Sequence, residues 1–165
     1  MKKVLLLVAL IMISITMVMA QGVVRDMVLL EDGTGTWCVF CPGAALACED
    51  LLEAGAPIAV VANHNGDAYA NQYSNARNSM YQISGFPTSV FDGYEKYIGG
   101  SATGSIAAQY LPYVQSHMVE ICPVDLDIEF EGTNQDYSAT VTLTKVGDIT
   151  ATDMRLMFFV TESNI

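Results

Sequence analysis

The chain has 165 residues and a formal net charge of −11, from 18 acidic residues against seven basic ones. An acidic surface repels the phosphates of nucleic acid and of anionic lipid, so neither is an expected partner. The length suffices for one small domain with a real core, plus a further segment.

Residues 1–20 are predicted to be a signal peptide. Lys2 and Lys3 form a short basic start, Val4 to Val18 is almost entirely apolar, and Val18-Met19-Ala20 offers small residues to a signal peptidase. A retained membrane anchor is the alternative, although the apolar run is short for the about 20 residues that a span needs. We therefore expect export to the periplasm, the outer membrane surface or the medium, where disulfides persist.

Residues 21–122 are predicted to form one α/β domain. Apolar patterns predict strands at Val23 to Leu30, Ile58 to Ala62, Pro87 to Phe91 and Tyr94 to Ile98, and helices at Cys41 to Glu53, Gly66 to Ile83 and Ser105 to Glu120. The dipeptide Asp92-Gly93 is typical of a hairpin turn, whose central positions need positive φ. The order β-α-β-α-β-β-α indicates a mixed sheet with helices on both faces.

Residues 123–165 show a different periodicity. Apolar and polar residues alternate from Val124 to Glu131 and again from Tyr137 to Thr144, and a further apolar run spans Met154 to Val160. This pattern predicts antiparallel strands of a β-sandwich. Three strands do not complete a sandwich, so we expect either a fragment or an incomplete second domain.

Cys38 and Cys41 form a C-x-x-C pair between a predicted strand and a predicted helix. At a helix N-terminus, free N–H groups and the helix dipole favour a thiolate, which is the species that attacks disulfides. We expect Cys38 to have the lower pKa and Cys41 to be the more buried thiol. A permanently closed structural disulfide is one alternative. A zinc site is another, for which the chain offers no second C-x-x-C.

Pro87 opens a predicted strand, one of the few positions where a missing N–H is tolerated. Because X-Pro bonds are the common cis peptides, we predict a cis bond after Phe86, which would turn the Phe86 backbone toward an extended substrate. Pro87 marking only a strand edge is the alternative.

Asp32 lies six residues before Cys38, at the end of the first predicted strand. Burial near the inner sulfur would raise its pKa and let it exchange a proton with Cys41. The alternative is that Asp32 caps the loop it enters. Trp37 is predicted to shield one side of the disulfide.

These motifs resemble the thioredoxin superfamily, in which W-C-x-x-C starts a helix and G-hydrophobic-P-T opens a hairpin. A narrower resemblance, covering nearly all of residues 21–165, is to exported outer-membrane-protein-twenty-eight-related thioredoxin-like proteins, which carry an immunoglobulin-like second domain. The matching residues are Val28-Leu29-Leu30-Glu31-Asp32, Thr34-Gly35-Thr36-Trp37-Cys38, Cys41-Pro42, His64 with Gly66-Asp67, Arg77, Tyr81, and Gly85-Phe86-Pro87-Thr88 with Asp92-Gly93.

The resemblance implies a thiol–disulfide oxidoreductase, with Cys38 as nucleophile, Cys41 as resolving thiol and Pro87 as the cis-proline. Candidate substrate contacts are Trp37, Phe86 and Thr88. The expected partners are protein or peptide thiols and disulfides and an unidentified redox partner. The protein could also associate with the cell envelope. No metal or cofactor is required.

The sequence departs from the family pattern at two places. Gly33 replaces the usual aromatic residue, which is expected to loosen the approach to the site. Val39-Phe40 matches neither the Gly-Pro of reducing thioredoxins nor the Pro-His of strong oxidants, so the direction of electron flow stays open. The rival function is a non-catalytic surface or adhesion module with a structural disulfide.

Four further side chains carry predictions of their own. Cys48 and Cys122 would lie on two helices sharing one sheet face, so they are predicted either to form a bridge or to remain two buried thiols. His64, at the end of a buried strand, is predicted to be structural, and His117 is predicted to lie at the surface.

Overall fold

The computed structural model describes residues 22–133 and 136–162, so the predicted signal peptide lies outside the described residues. The strands are β1 Val23–Val24, β2 Val28–Thr34, β3 Ile58–His64, β4 Thr88–Phe91, β5 Glu95–Ile98, β6 Ile121–Cys122, β7 Val124–Thr133 and β8 Asp136–Lys145. The helices are α1 Cys41–Glu53, α2 Gln72–Met80 and α3 Ala107–Met118. Contacts divide the chain into two units; one contains Val24–Glu120 with the residues from Arg155 onward, and the other contains Ile121–Met154.

The first unit contains a mixed sheet with the strand order β3-β2-β4-β5. Strand β2 is parallel to β3 and antiparallel to β4, which pairs antiparallel with β5. The parallel pair requires a long crossover, and α1 provides it. This arrangement confirms the predicted mixed α/β fold. Among the described residues, no helix is long and apolar enough to cross a membrane.

One face of β2 carries the hydrophobic core. Val28 and Leu30 point to this face, because alternate residues of a strand share a side. They pack among buried residues of α1, of α3 and of the position just before α3, namely Ala44, Ala47, Cys48, Leu51, Ile106, Tyr110 and Val114. Asp32 follows with the same alternation, so its carboxyl group enters the same layer.

The opposite face of β2 is buried by charged and polar groups. Glu31 is fully buried, and its carboxylate accepts hydrogen bonds from Arg77 of α2, from Tyr81 at 2.5 Å and from Asn63 at 3.1 Å. Arg77 neutralises a carboxylate that would otherwise be desolvated without a partner. Helices therefore cover both faces of the sheet, as the sequence predicted.

The first predicted strand is displaced toward the C-terminus. The structure breaks it into β1 and β2, and β2 continues past Leu30 to Thr34. The reason is the partner strand, because the parallel ladder with β3 extends as far as the pair Thr34 and His64. Asp32 is therefore part of the sheet and does not belong to the loop that follows it.

Helix α2 begins later than predicted, at Gln72 instead of Gly66. Upstream, the Asp67 carboxylate accepts the backbone N–H groups of Tyr69 and Ala70, which holds the chain in a turn. Asn71 then caps the helix by accepting the N–H of Ser74 at 3.0 Å, completing a capping box.

His117 is buried, with 1% of its surface exposed, so the prediction of a surface histidine is wrong. Its Nδ1 lies 2.9 Å from Asp92 and its Nε2 lies 3.0 Å from Glu95, while the ring of Tyr94 stacks on it at 4.8 Å. A carboxylate can only accept hydrogen bonds, so both contacts favour a ring that is protonated on both nitrogens. The β4–β5 hairpin folds back onto α3 and gives each ring nitrogen of His117 a carboxylate partner.

We expect this cluster to make the stability of the protein depend on pH. Burial lowers the pKa of His117, but the hydrogen bonds to Asp92 and Glu95 outweigh it and raise the pKa above 6.5. The stabilisation is therefore complete below about pH 6.5 and is lost as the pH rises through the elevated folded-state pKa, by at most about 1.4 kcal/mol per pH unit. Urea unfolding from pH 5 to pH 9 should show this component in the wild type and not in His117→Gln.

His64→Gln is the matched control for that prediction, because the chain's other histidine faces a single carboxylate, Asp67. Identical pH dependence in the wild type and in His117→Gln would contradict the assignment of His117 as a buried cation.

The second unit contains the antiparallel hairpin of β7 and β8. The segment Met154 to Val160, which from Arg155 onward belongs to the first unit, is not a strand, so the prediction of a third strand there is wrong. An apolar run becomes a strand only where a neighbouring strand offers a ladder for its backbone groups. Among the described residues, β7 and β8 pair with each other as a two-stranded sheet.

Candidate redox site

Cys38 and Cys41 are joined by a disulfide, with their Cα atoms 5.4 Å apart. Cys41 is the first residue of α1, and Cys38 lies in the turn that leads into the helix. Backbone bonds from Cys38 N–H to the Gly35 carbonyl (3.0 Å) and from Cys41 N–H to the Cys38 carbonyl (3.4 Å) define this turn. The predicted position of the pair at a helix start is confirmed.

The two sulfur-bearing residues are almost equally buried, at 8% exposure for Cys38 and 5% for Cys41. The side chains beside them are exposed instead, at 52% for Trp37, 67% for Val39 and 57% for Phe40. The disulfide therefore lies just under a turn that exposes three large apolar side chains. The greater burial predicted for Cys41 is present only as this small difference.

The start of α1 has no side-chain cap. A backbone pair replaces it: the Gly43 N–H donates to the Ser101 carbonyl at 2.8 Å, and the Ser101 N–H donates to the Phe40 carbonyl at 2.9 Å. A Cβ at Gly100 would lie 2.1 Å from the Phe40 oxygen and 2.7 Å from Pro87 Cγ, so this close approach requires glycine.

This pair of backbone hydrogen bonds at the start of α1 was not identified from the sequence. Its only local signal is the dipeptide Gly99-Gly100 immediately after β5. The sequence does not show which part of the backbone these glycines approach, because this depends on how the segment after β5 packs against the start of α1.

Trp37 is held at the edge of the site by its indole N–H, which donates to the Asn65 carbonyl at 2.7 Å. Its ring meets the ring of Phe86 edge-on, with centroids 5.3 Å apart. The two aromatic candidate substrate contacts are therefore neighbours, on the turn before α1 and on the segment before β4.

Asp67 connects this edge to the end of β3. Burial opposes its ionisation, but hydrogen bonds from His64 at 2.7 Å and from the Thr36 N–H at 2.8 Å hold its pKa at about 2. His64 is thus fixed by a carboxylate, in agreement with the predicted structural role.

The Phe86–Pro87 peptide bond is cis, as predicted. Thr88 is 2% exposed, and its hydroxyl donates to the Gly85 carbonyl at 2.7 Å. The Thr88 side chain therefore holds the turn before Pro87, and its role as a substrate contact stays a prediction.

Gly33 does not leave the site open. A Cβ at this position would lie 2.8 Å from Ile83 Cδ1 and 3.1 Å from Asn78 Oδ1. The volume that a side chain would occupy is already filled from α2 and the residues that follow it, so the predicted loosening is wrong.

Asp32 is buried, with 4% exposure, and burial raises its pKa to about 7, while a hydrogen bond from Ser89 opposes that rise. The Ser89 hydroxyl donates to Asp32 Oδ1 at 2.8 Å, across the β2–β4 ladder in which the two residues are partners. The rise in pKa agrees with the prediction for a buried carboxyl. A group that titrates near neutral pH can accept and return a proton.

Cys48 of α1 lies close enough to this carboxyl for the charge of Asp32 to act on its thiol. Burial, followed by the charge of Asp32, raises the pKa of the Cys48 thiol to about 12. Cys48 lies seven residues after Cys41, and both are buried residues of the same helix. Asp32 thus faces the buried side of α1, on which the inner sulfur also lies.

Cys48 and Cys122 are free thiols, so the predicted bridge between them is absent. Cys48 is a member of the hydrophobic core, whereas Cys122 lies in β6, beyond the end of α3 at Met118. Cys48 takes the alternative that the sequence left open, a thiol packed as a small apolar residue. Cys122 is only partly buried.

Similar folds occur among solved structures. HBP35 of Porphyromonas gingivalis matches 75% of this chain and 44% of its own, with 21% identity and a TM-score of 0.55. Thioredoxin of Fasciola hepatica matches 56% and 83% of the two chains, with 20% identity and a TM-score of 0.42. Malassezia sympodialis thioredoxin (Mala s 13) matches 61% and 81%, with 19% identity and a TM-score of 0.41.

No family model and no curated protein matches the chain. The chain spans less than half of the HBP35 chain that it resembles. The order of elements, the mixed sheet and the disulfide at the start of α1 make the first unit a thioredoxin-like domain, followed by a separate antiparallel β segment.

Proposed function

We propose that the chain is an exported thiol–disulfide oxidoreductase that acts on protein or peptide thiols through Cys38 and Cys41. The observation that carries the proposal is a disulfide at the start of α1, beneath a turn with exposed apolar side chains. Buried beside the same helix is the Asp32 carboxyl, whose pKa is about 7. Each part has a place in the chemistry of exchange.

In the reducing direction, the Cys38 thiolate attacks a substrate disulfide. A bond forms between the Cys38 sulfur and one substrate sulfur, and the other substrate sulfur leaves as a thiolate. Asp32 then accepts the Cys41 proton, and the Cys41 sulfur attacks Cys38. The second substrate thiolate leaves and the Cys38–Cys41 disulfide closes, so the protein dithiol is oxidised while the substrate disulfide is reduced. The oxidising direction reverses these steps.

The surface around the disulfide favours a protein substrate with apolar residues beside its cysteine. Trp37, Val39 and Phe40 are exposed, and residues 33–41 include no charged side chain, although the chain as a whole is strongly acidic. Aromatic side chains are enriched at protein interfaces, and their burial by a bound segment would stabilise the mixed disulfide.

The same proposal includes membership of the outer-membrane-protein-twenty-eight-related proteins. It also includes an immunoglobulin-like second domain, export and association with the cell envelope. Its supports are the signal-like pattern of residues 1–20, the motifs shared with that family and the β7–β8 hairpin after the thioredoxin-like domain. The redox partner that restores the pair would be a second envelope thiol protein.

A second function is a non-catalytic surface or adhesion module in which the disulfide only braces the turn. The low exposure of both cysteines favours it, because a structural disulfide is shielded from thiols.

The reduction potential of the Cys38–Cys41 pair separates the two functions. We expect a value between about −270 and −120 mV, the range of working oxidoreductases, measured by equilibration with glutathione and thiol alkylation. A value below about −300 mV would mark a structural disulfide and overturn the catalytic proposal. A variant with both Cys48 and Cys122 replaced by Ser is the control that isolates the pair, because those are the free thiols of the described residues.

A further inference from the structure

A chain of buried hydroxyl groups ends on Asp32. The Ser89 hydroxyl donates to Asp32 Oδ1 at 2.8 Å, and the Tyr110 hydroxyl is hydrogen-bonded to the same Ser89 oxygen. Ser89 and Tyr110 are fully buried, and Asp32 is 4% exposed. The three residues come from β4, α3 and β2, so the chain crosses from the helix layer into the sheet.

The direction of this chain follows from its hydrogen atoms. Ser89 has one hydroxyl hydrogen, which it donates to the carboxylate, so the hydrogen between Ser89 and Tyr110 belongs to Tyr110. Burial, and then the charge of Asp32, raises the pKa of Tyr110, which keeps this donor protonated at neutral pH. Tyr110 therefore polarises Ser89, and Ser89 stabilises the ionised form of Asp32.

We propose that Ser89 and Tyr110 are positioning residues for thiol–disulfide exchange, whose hydroxyl groups favour the ionised form of the Asp32 carboxyl and aim it beneath α1. This inference rests on the proposed function, because Asp32 acts there as the proton acceptor for Cys41. Neither residue touches the reacting sulfurs in this assignment. They act by deciding the protonation state and the orientation of the carboxyl.

Among the described residues, few titratable groups surround these buried hydroxyl groups and Asp32. Cys48 faces Asp32 from α1, as Cys41 of the same helix does in the proposed mechanism once the disulfide is reduced. Tyr110 faces Asp32 from α3, and Tyr97 of β5 acts on Tyr110. The partner of Asp32 on β3 is Ala62, which does not titrate. Glu31, the neighbour on β2, points to the other face and is neutralised by Arg77. Ser89 donates the side-chain hydrogen bond that the Asp32 carboxylate accepts.

Two pH titrations test the proposal in the folded protein. The first follows the carboxyl carbon of Asp32 by ¹³C NMR in the oxidised protein. The second follows the rate of reduction of a glutathione-capped peptide disulfide by the reduced protein. We expect Ser89→Ala to move both midpoints upward by about one to two pH units, because the ionised carboxyl loses a charge-assisted bond. Tyr110→Phe should move them in the same direction by a smaller amount, and Ser89→Thr should restore them.

The matched control is Ser116→Ala. Ser116 is an exposed serine of α3 whose hydroxyl donates to the Tyr113 carbonyl. This control should leave the Asp32 midpoint where it is in the wild type. If Ser89→Ala does not fold, Tyr110→Phe still carries the test.

The outcomes separate the two proposals. An unchanged NMR midpoint in Ser89→Ala and Tyr110→Phe overturns the positioning role, whatever the exchange rates are. Shifted NMR midpoints in a protein that exchanges no disulfide at any pH would retain the hydroxyl chain, overturn its role in exchange and reject the proposed function.

Discussion

Replacing Asp32 with asparagine is expected to stabilise the oxidised protein above neutral pH by on the order of 4 kcal/mol. Burial raises the pKa of this carboxyl from 3.8 to about 7. A difference of roughly three pKa units corresponds to about 4 kcal/mol. Asparagine has nearly the same shape and accepts the Ser89 hydroxyl, but it carries no charge to desolvate.

The sign of the effect follows from proton binding. Below about pH 4 both the folded and the unfolded protein hold the Asp32 proton, and no penalty exists. Between about pH 4 and pH 7 the unfolded chain releases it first, so the wild-type stability falls as the pH rises, and the loss is complete above about pH 7. Urea unfolding of the oxidised protein from pH 4 to pH 9 should show this fall in the wild type and lack it in Asp32→Asn.

Asp50→Asn is the matched control, since Asp50 is an exposed carboxylate on α1. If the pH dependence of Asp32→Asn equals that of the wild type, Asp32 is not the buried titrating group. Asp32→Asn should also slow the resolving step of exchange near pH 7, because Cys41 loses its proton acceptor.

Replacing Cys38 with serine is expected to reduce thiol–disulfide exchange to the background rate. Replacing Cys41 with serine should instead leave one turnover that stops at a mixed disulfide, because the resolving thiol is missing. Non-reducing electrophoresis and mass spectrometry of the Cys41→Ser protein, after incubation with a peptide disulfide, should show substrate attached through Cys38.

The assignment of the two roles is open to contradiction, because Cys38 and Cys41 differ little in exposure, at 8% and 5%. Adducts on Cys41 in Cys38→Ser, and none on Cys38 in Cys41→Ser, would reverse the roles. Cys48→Ala is the matched control and should retain full exchange, since this thiol belongs to the core.

The features that the sequence predicted well are local or periodic. The start of α1 at Cys41, the Asp92-Gly93 turn and the alternation of β7 and β8 depend on residues close together in the chain. Helix and strand periods, turn conformation and the constraints on proline act over a few residues, so one sequence is enough to read them. For the same reason, the C-x-x-C pair and the cis bond before Pro87 could be placed at the site.

The predictions that proved wrong concern contacts between distant parts of the chain. His117 was expected at the surface, but its two carboxylate partners precede it by 25 and 22 residues and are brought to it by the β4–β5 hairpin. The apolar run at Met154 to Val160 has the composition of a strand, but no ladder among the described residues accommodates it.

The environment of Asp32 is the sharpest case. Its spacing from Cys38 predicted a buried carboxyl, and that part required only a strand followed by a turn. The hydroxyl groups of Ser89 and Tyr110 reach it across 57 and 78 positions of sequence. Neither residue carries a motif, because serine and tyrosine are common and their hydrogen bonds depend on which surfaces meet. Chain-local rules therefore locate the redox pair, whereas the packing of β2, β4 and α3 decides how its buried carboxyl is held.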